Sequence, residues 1–225
     1  MRIHARPSPN HGARPEGRAV DMLVLHYTGM ESAEAALARL CDPEAGVSAH
    51  YLIEEDGHIW QLAPEHRRAW HAGLAFWAGE TDINSASIGI ELVNPGHEFG
   101  YRPFPALQMA ALTALSRDIL ARHPIPQHRV LGHSDVAPQR KSDPGELFDW
   151  GFLAQEGIGY MPDFAQATAK ADPLAAQEAL ARIGYETASI PQTLRAFQRH
   201  YRPSLCDGIL DAETAARIGI LAASV

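Results

Sequence analysis

Three short stretches of this chain carry side chains that can bind a metal ion together. Leu-His-Tyr-Thr contains His26, Gly-His-Ser-Asp contains His133, and Lys-Ser-Asp-Pro-Gly contains Asp143. Two neutral imidazoles and one carboxylate hold a catalytic zinc ion while leaving its fourth position open for water. A structural zinc site is usually closed by four protein ligands, and the two cysteines, Cys41 and Cys206, lie far apart in the sequence. The set therefore favours a hydrolytic metal centre over a structural one.

Glu91 is a further candidate for chemistry, because it lies inside the apolar run Ile-Gly-Ile-Glu-Leu-Val at 88–93. A buried carboxylate is costly unless it is paired, hydrogen-bonded or close to a metal. Strand alternation offers a second interpretation, in which the aliphatic residues of the run face the core while Glu91 faces water. Lys141 precedes Asp143 by two residues and would point the same way in an extended loop, although a solvated lysine is the common case.

Hydrophobic periodicity predicts the strands that must position these residues. Short apolar runs predict buried strands at 20–26, 86–93 and 129–133. The first and last of these strands end in His26 and His133. A polar side chain at the end of an apolar strand suggests a functional role. Two further strands between residues 47 and 62 flank the sequence Glu-Asp-Gly, which is typical of a hairpin turn.

Helices are predicted at 32–40 and, more clearly, at 105–122, where Leu112, Leu115 and Ile119 form one apolar stripe. Strands and helices alternate along the chain, which predicts an α/β fold with a mixed central sheet flanked by helices. In such sheets, ligands bind at strand ends and in the loops beyond them. We therefore expect the candidate residues to meet at one edge of the sheet.

The composition changes after about residue 165. Residues 167–173 are small and polar, and we expect them to form a linker. Three short helical patterns follow, at 174–183, 191–200 and 212–218, and they predict a small C-terminal three-helix module with Asp211 in a capping position. About 55 residues are few for an independent core, so this module is expected to lean on the first domain.

Polar and aromatic residues around the Glu91 strand are candidates for binding a substrate. Trp70-His71-Ala72-Gly73 is an unusual cluster for a loop, and Trp77 follows it closely. A tryptophan near a polar cleft can stack on a sugar ring, although buried packing is its commoner fate. Asn84 and Asn94 flank the strand and can either bind an amide or cap turns.

Composition narrows the class of protein. The chain has 225 residues, of which 46% are hydrophobic and 20% charged, as in an ordinary globular protein. Its formal charge of −8 argues against nucleic acid as a partner. No stretch approaches the roughly 20 apolar residues of a membrane span. Residues 1–15 lack the apolar segment of a secretory signal, so we expect a cytoplasmic protein unless a leader has been removed.

The candidate stretches together resemble the zinc N-acetylmuramoyl-L-alanine amidases of the AmpD/AmiD type, which are related to peptidoglycan recognition proteins. Matching stretches occur in the order of that family and span about residues 18–160. They are Leu25–Thr28, Val47–Tyr51, Ala69–Gly73, Ser87–Leu92, Gly132–Asp135 and Arg140–Gly145. A set of ordered matches is far more specific than any one motif, so the fold of that family is expected here.

The resemblance implies roles for particular residues. His26, His133 and Asp143 would bind one zinc ion per chain, Glu91 would be the catalytic acid/base, and Lys141 would stabilise the transition state. The implied reaction is hydrolysis of the amide between the lactyl group of N-acetylmuramic acid and L-alanine, in peptidoglycan or muropeptides. Substrate-binding roles fall to His50, Trp70, His71 and Asn94, with His50 and His71 orienting ligands or substrate.

The C-terminal segment also resembles a known unit, the three-helix peptidoglycan-binding module carried by AmiD-type enzymes. The matching residues are Phe197–Tyr201, Asp207-Gly208 and Asp211–Thr214. The expected organisation is an N-terminal extension at 1–17, a catalytic domain at 18–165 and the module at 172–225. A wall-binding module favours the periplasm or cell envelope, which conflicts with the cytoplasmic expectation.

Two other functions fit the same residues. One is a non-catalytic peptidoglycan-binding or recognition protein on the same fold, which loss of a zinc ligand would favour, but all three ligands are present. The other is a different metallohydrolase such as a peptidase, which would leave the amide between the sugar and alanine intact. The sequence does not specify the oligomeric state.

Overall fold

A mixed six-stranded sheet forms the centre of the computed structural model, which describes residues 2–165 and 168–225. The strands are β1 (Ile3–Ala5), β2 (His11–Ala13), β3 (Met22–Tyr27), β4 (Tyr51–Ile53), β5 (Ile59–Gln61), β6 (Arg67–Ala69), β7 (Ser87–Leu92) and β8 (Val130–Gly132). The α-helices are α1 (Ala33–Cys41), α2 (Ile83–Ala86), α3 (Gly96–Phe99), α4 (Ala106–Arg122), α5 (His133–Val136), α6 (Trp150–Gln155), α7 (Pro173–Ile183), α8 (Ile190–Tyr201) and α9 (Ala212–Ala222).

The order of the strands brings three candidate residues to one edge of the sheet. The order is β1-β5-β4-β7-β3-β8, so that β7 and β8 lie on either side of β3. All three strands are parallel, with His26 opposite Glu91 and Leu25 opposite Gly132. His133 directly follows Gly132. Glu91, His26 and His133 therefore lie together towards the carboxyl ends of adjacent parallel strands, where such sheets place their sites.

Side-chain alternation along β3 and β7 gives the sheet two different faces. Leu23 and Leu25 of β3 lie in one apolar cluster with Ile90 of β7 and with Leu112 and Leu115 of α4. Strand geometry turns the other residues of β3 and β7, which include His26 and Glu91, to the opposite face. The alternation predicted for Glu91 is thus present, but protein covers part of this face of the sheet, and Glu91 itself is only partly exposed.

The C-terminal helices help to cover that second face. Met22 and Val24 of β3 lie in one apolar cluster with Leu180 of α7 and with Leu194 and Phe197 of α8. All five side chains are buried. The helical module and the sheet therefore share a core, as expected for a segment too small to fold on its own core.

A buried carboxylate also joins the helical module to α5. Asp135 accepts hydrogen bonds from the Tyr185 hydroxyl at 2.6 Å and from the Gly132 backbone N–H at 2.7 Å. Nδ1 of His200 lies 2.8 Å from the same carboxylate. Because α5 begins at His133, this network connects the C-terminal helices to a candidate metal ligand.

The described part of the N-terminal extension is integrated into the fold. Strand β1 pairs with β5 in the central sheet, and β2 pairs with β6 in a separate two-stranded sheet. The Arg14 guanidinium donates hydrogen bonds of 2.8–3.0 Å to the backbone carbonyl oxygens of Glu65, Asn84, Ser85 and Ser87. Arg14 thus ties the N-terminal segment to the loop before β6, to α2 and to the start of β7.

The predicted fold class is confirmed, since helices flank a mixed sheet and three helices follow at the C-terminus. The predicted linker begins at Ala167, which lies outside the described residues. Elements that were not predicted, such as β6, α2 and α5, have three or four residues, too few for hydrophobic periodicity to show. Among the helices described, none has both the length and the apolar character needed to cross a bilayer.

Candidate active site

His26, His133 and Asp143 converge on one point. Nδ1 of His26 lies 2.9 Å from Nδ1 of His133 and 3.1 Å from Oδ2 of Asp143, and the His133 nitrogen lies 3.1 Å from the same oxygen. All three side chains are buried. Ligands about 2.0–2.1 Å from a tetrahedral zinc ion are separated by about 3.3 Å, so this triangle is close to the size that zinc requires.

Hydrogen bonds behind His26 determine which of its nitrogens carries a proton. The Ile83 carbonyl can only accept, so the Ser87 hydroxyl donates to it at 2.6 Å. The Ser87 oxygen then accepts from Nε2 of His71 at 3.1 Å, which leaves Nδ1 of a neutral His71 without a proton. That nitrogen accepts from Nε2 of His26 at 3.0 Å. Nδ1 of His26 therefore presents a lone pair to Asp143.

A single hydrogen bond gives His133 the same tautomer, with a lone pair on Nδ1. Its Nε2 lies 3.0 Å from the Ala72 carbonyl oxygen, which can only accept, so Nε2 carries the proton and Nδ1 has a lone pair. Two imidazole lone pairs and the Asp143 carboxylate thus face one another with no proton to share. Such an arrangement is repulsive unless a cation lies between the three atoms. The donor set fits zinc, and each histidine is oriented by a partner on its other nitrogen, as in known metal sites.

The charge states of His26 and Asp143 agree with this geometry. Burial, assisted by the neighbouring His133, lowers the pKa of His26 to about 4, so the ring is neutral at physiological pH. Burial would raise the pKa of Asp143, but His133 and His26 outweigh it and hold that pKa below the ordinary value. A neutral imidazole beside an ionised carboxylate is the state in which both bind a metal.

The loop after α5 brings Asp143 back to His133. Backbone N–H groups of Arg140 and Lys141 both donate to the Ala137 carbonyl, at 3.1 and 3.0 Å, and so form a tight turn. The Ser134 N–H then donates to the Asp143 carbonyl at 2.8 Å. Backbone hydrogen bonds therefore fix the loop of nine residues between the two candidate ligands.

Glu91 lies beside this triangle and has the environment of an acid/base group. The residue is partly exposed, but its Oε2 atom is buried and has no hydrogen-bond partner within the described residues. Burial raises the pKa of Glu91 well above the ordinary value, and Asp143 raises it further, whereas Lys141 opposes the shift. A carboxyl group with a raised pKa can both accept and return a proton near neutral pH.

A cleft of about 410 Å³ opens over these side chains. Glu91, His133 and Asp143 line its floor, and Trp70 and Lys141 also border it. Trp70 is half-buried and Lys141 is exposed, so both can contact a molecule in the cleft. Trp77 differs, because its indole is buried and packs at 4.8 Å, edge to face, on the Tyr185 ring.

The remaining predicted substrate-binding residues do not share one environment. His71 borders the cleft, donates to the Ser87 oxygen and accepts from Nε2 of His26, which suits an orienting role. His50 is fully buried outside the lining of the cleft, with Nδ1 accepting from the Gly89 N–H at 2.9 Å. Asn94 is also buried away from the cleft lining.

Both asparagines take the second of their two predicted roles and support turns. The Asn84 side-chain oxygen accepts from the backbone N–H groups of His71 and Ala72, at 3.0 and 2.8 Å. Asn94 accepts from the Gly96 N–H at 3.0 Å and donates to the Arg102 carbonyl at 2.7 Å. Asn84 thus fixes the loop that carries His71.

Two residues of β7 that the sequence analysis did not select hold His71 in place. Ser87 provides the hydrogen bond described above, and Gly89 provides space, because a Cβ there would lie 2.4 Å from Cγ of His71. A glycine inside a strand often marks the close approach of another group. Gly89 could have been identified on that basis, whereas nothing in the sequence distinguishes Ser87 from other serines.

Comparisons with known proteins agree with the motifs. The sequence profile of the N-acetylmuramoyl-L-alanine amidase family matches residues 16–146. The N-acetylmuramoyl-L-alanine amidase AmiD of Escherichia coli K12 is 41% identical, over 88% of this chain and 80% of its own.

Solved structures of similar proteins extend the comparison to nearly the whole chain. E. coli AmiD, in complex with the substrate anhydro-N-acetylmuramic acid-L-Ala-D-γ-Glu-L-Lys, superposes with a TM-score of 0.83 at 39% identity, covering 93% of this chain and 92% of its own. AmpDH3 of Pseudomonas aeruginosa, in complex with anhydromuramic pentapeptide, gives a TM-score of 0.78 at 35% identity, covering 95% and 93%.

Proposed function

Because this chain belongs to the N-acetylmuramoyl-L-alanine amidase family, we propose that it hydrolyses the lactyl–L-alanine amide of muropeptides with one bound zinc ion. The bond cleaved joins the lactyl carbonyl of N-acetylmuramic acid to the amino group of L-alanine. The observation that carries the zinc assignment is the set of three lone pairs on His26, His133 and Asp143, which face one another at 2.9–3.1 Å.

Zinc, when bound, lowers the pKa of a coordinated water to about 7 and polarises a carbonyl. Glu91 accepts a proton from the attacking water and returns it to the leaving nitrogen of L-alanine. Its buried Oε2, free of hydrogen bonds to the described residues, is available for that exchange. Its raised pKa makes the carboxylate a better base for the first transfer and keeps the carboxyl group protonated until the leaving nitrogen takes the proton.

Lys141 supplies positive charge at the rim of the same cleft. The Lys141 side chain is exposed and borders the cleft beside Asp143, so its ammonium group can approach the carbonyl oxygen as negative charge develops there. Trp70, half-buried at the same rim, presents an aromatic surface for a sugar ring.

The proposed substrate is a muropeptide whose stem begins L-Ala-γ-D-Glu, as in the compound bound by AmiD. A γ-linked glutamate retains its α-carboxylate, so the stem is anionic beyond the scissile amide. The relation of the C-terminal helices to peptidoglycan binding stays a proposal based on their resemblance to a wall-binding module.

Metal analysis and product analysis together test the proposed function. We expect one zinc per chain, and mass spectrometry should show free peptide with an alanine amino terminus and the intact muramic acid. Cleavage inside the peptide would instead identify a peptidase, and iron in place of zinc would contradict the metal assignment. A protein that binds muropeptide without releasing peptide would match the non-catalytic alternative.

A further inference from the structure

A cationic depression lies next to the cleft, between the loop at 138–142 and helix α8. It has a volume of about 270 Å³, and half of its eight lining residues are Arg140, Lys141, Arg195 and Arg199. No described acidic residue lines it. Four cationic side chains thus lie around one small depression, although the chain as a whole has a formal charge of −8.

Helix α8 supplies two of these cations. Arg195 and Arg199 are four residues apart and therefore lie on the same side of the helix, where like charges repel. Arg195 is exposed and donates through Nε to the Asp207 backbone carbonyl at 3.2 Å. The terminal nitrogens of Arg195 form no hydrogen bond within the described residues.

The cations retain much of their capacity to bind an anion. Within the described residues, neither Lys141 nor Arg195 forms an ion pair. Arg199 is largely buried and forms an ion pair with Glu146, whose carboxylate lies 3.7 Å from Nε, too far for a hydrogen bond. Nε of Arg199 is buried and has no hydrogen-bond partner in the described part of the chain. The positive charge of Arg195 is therefore unpaired among the described residues, and that of Arg199 is paired only at 3.7 Å.

The depression and the cleft share a wall. Arg140, Lys141 and Ser142 border both of them. Ser142 also lies 3.1 Å from the Tyr27 hydroxyl, and Tyr27 lines the cleft on its other side. A molecule held over Glu91 and long enough to pass Lys141 would therefore reach the side of α8 that carries the two arginines.

We propose that Arg195 and Arg199 form an anion subsite for the carboxylates of the stem peptide, beyond the bond that is cleaved. This inference rests on the proposed function and deepens it, because it assigns substrate selection to the C-terminal helices. The α-carboxylate of γ-D-Glu and the carboxylate of the following residue are the groups to be bound. Arginine suits both, since its planar guanidinium binds a carboxylate through two parallel hydrogen bonds.

The test compares two substrates that differ in one charge, a muropeptide with the free α-carboxylate of γ-D-Glu and the same compound with an α-carboxamide. We expect the parent to prefer the carboxylate about tenfold in kcat/KM, as for about 1.4 kcal/mol of charge-assisted hydrogen bonding. The double variant Arg195→Gln/Arg199→Gln should lose this preference, mainly through KM, whereas Arg195→Lys/Arg199→Lys should retain part of it. The preference should weaken in 0.5 M salt.

A matched control removes the same charge elsewhere. Lys170→Gln/Arg182→Gln changes two exposed cations that line neither the cleft nor the depression, so the preference should be unchanged. A parent enzyme that cleaves both substrates equally would overturn the subsite, as would a double glutamine variant that retains the preference. The subsite would also be overturned if the double glutamine variant kept its preference for the carboxylate substrate but no longer bound cell wall that carries phosphate polymers. The two arginines would then bind the phosphate groups of those polymers.

Direct binding separates the subsite from the proposed reaction. The tripeptide L-Ala-γ-D-Glu-L-Lys and its α-carboxamide are titrated calorimetrically into the zinc-loaded full chain. Weaker binding of the amide by the parent, and equal binding of both by Arg195→Gln/Arg199→Gln, supports the subsite even if no muropeptide is cleaved. Equal binding by the parent rejects it even if cleavage occurs.

Discussion

Nδ1 of His71 lies 3.0 Å from Nε2 of His26, and this contact leaves the opposite nitrogen of His26 with a lone pair directed at Asp143. The ring of His71 is itself fixed from two sides, by the Ser87 hydroxyl and by the space above Gly89. His71, Ser87 and Gly89 thus determine which nitrogen of His26 carries the proton.

Replacing Gly89 with alanine should therefore weaken metal binding without touching a ligand. Its Cβ would lie 2.4 Å from Cγ of His71 and must displace the ring. We expect zinc affinity to fall about 10–100-fold, the usual effect of losing an outer partner of a ligand, in a competition assay with a chelating dye. Gly219→Ala is the matched control, because a Cβ there meets nothing within 4 Å. Equal zinc affinity of the Gly89 variant and the parent would refute the role of His71 in orienting His26.

Glu91→Gln separates proton transfer from metal binding. The amide retains the shape of the side chain but cannot act as a base, so turnover should fall by roughly two orders of magnitude or more. Zinc content should stay near one per chain, because Glu91 lies outside the ligand triangle. An almost fully active variant would remove Glu91 from the mechanism and leave the metal site intact.

Asp143→Ala should remove metal and activity together. It takes away one of three ligand atoms and leaves the lone pairs of His26 and His133 facing each other at 2.9 Å. Metal analysis after dialysis should show far less than one zinc per chain, and chelation of the parent should reproduce the loss of activity. Activity that survives chelation in the parent would contradict the zinc mechanism.

Phe197→Ala tests whether the C-terminal helices and the sheet form one cooperative unit. The ring is fully buried in the cluster that also contains Met22 and Val24 of β3. Its loss should cost about 3–5 kcal/mol of unfolding free energy. Activity and helical signal should be lost together during urea unfolding. Ile209→Ala, at a residue 62% exposed, should change stability by less than about 0.5 kcal/mol. Loss of helix before loss of activity would indicate separate units.

The acid sensitivity of the fold should depend in part on Glu65. Burial would raise its pKa, but hydrogen bonds from Arg122, His123 and Tyr51 outweigh this and lower it from 4.5 to about 2. The ionised carboxylate therefore contributes stability that is fully present above pH 4.5 and is lost as the pH falls towards 2.

Glu65→Gln should accordingly be less stable than the parent at pH 7, with the difference shrinking below pH 4.5. Urea unfolding at several pH values measures both curves. Metal release in acid affects the two proteins alike, so their difference isolates Glu65. Glu178→Gln, at an exposed position, serves as the control and should follow the parent at every pH. A difference that does not change with pH would exclude the linkage.

Much of the catalytic architecture could be predicted from the sequence because it depends on local patterns. Apolar runs that end in a histidine predicted strands at His26 and His133, and their carboxyl ends do meet in the structure. Glu91 was ambiguous, because alternation alone does not say what covers the second face of a strand. The structure shows the alternation and places Glu91 in the lining of the cleft, and its catalytic role stays a prediction.

Other features were decided only by the tertiary structure, because they depend on contacts between residues distant in sequence. Whether His50 and His71 orient a ligand depends on where their ring nitrogens point, and only His71 reaches His26. The cations of α8 meet Lys141 because the C-terminal helices pack beside the loop that carries it. Sequence periodicity identifies which side of a helix is apolar and will be buried. Which part of the chain packs against that side depends on the tertiary fold.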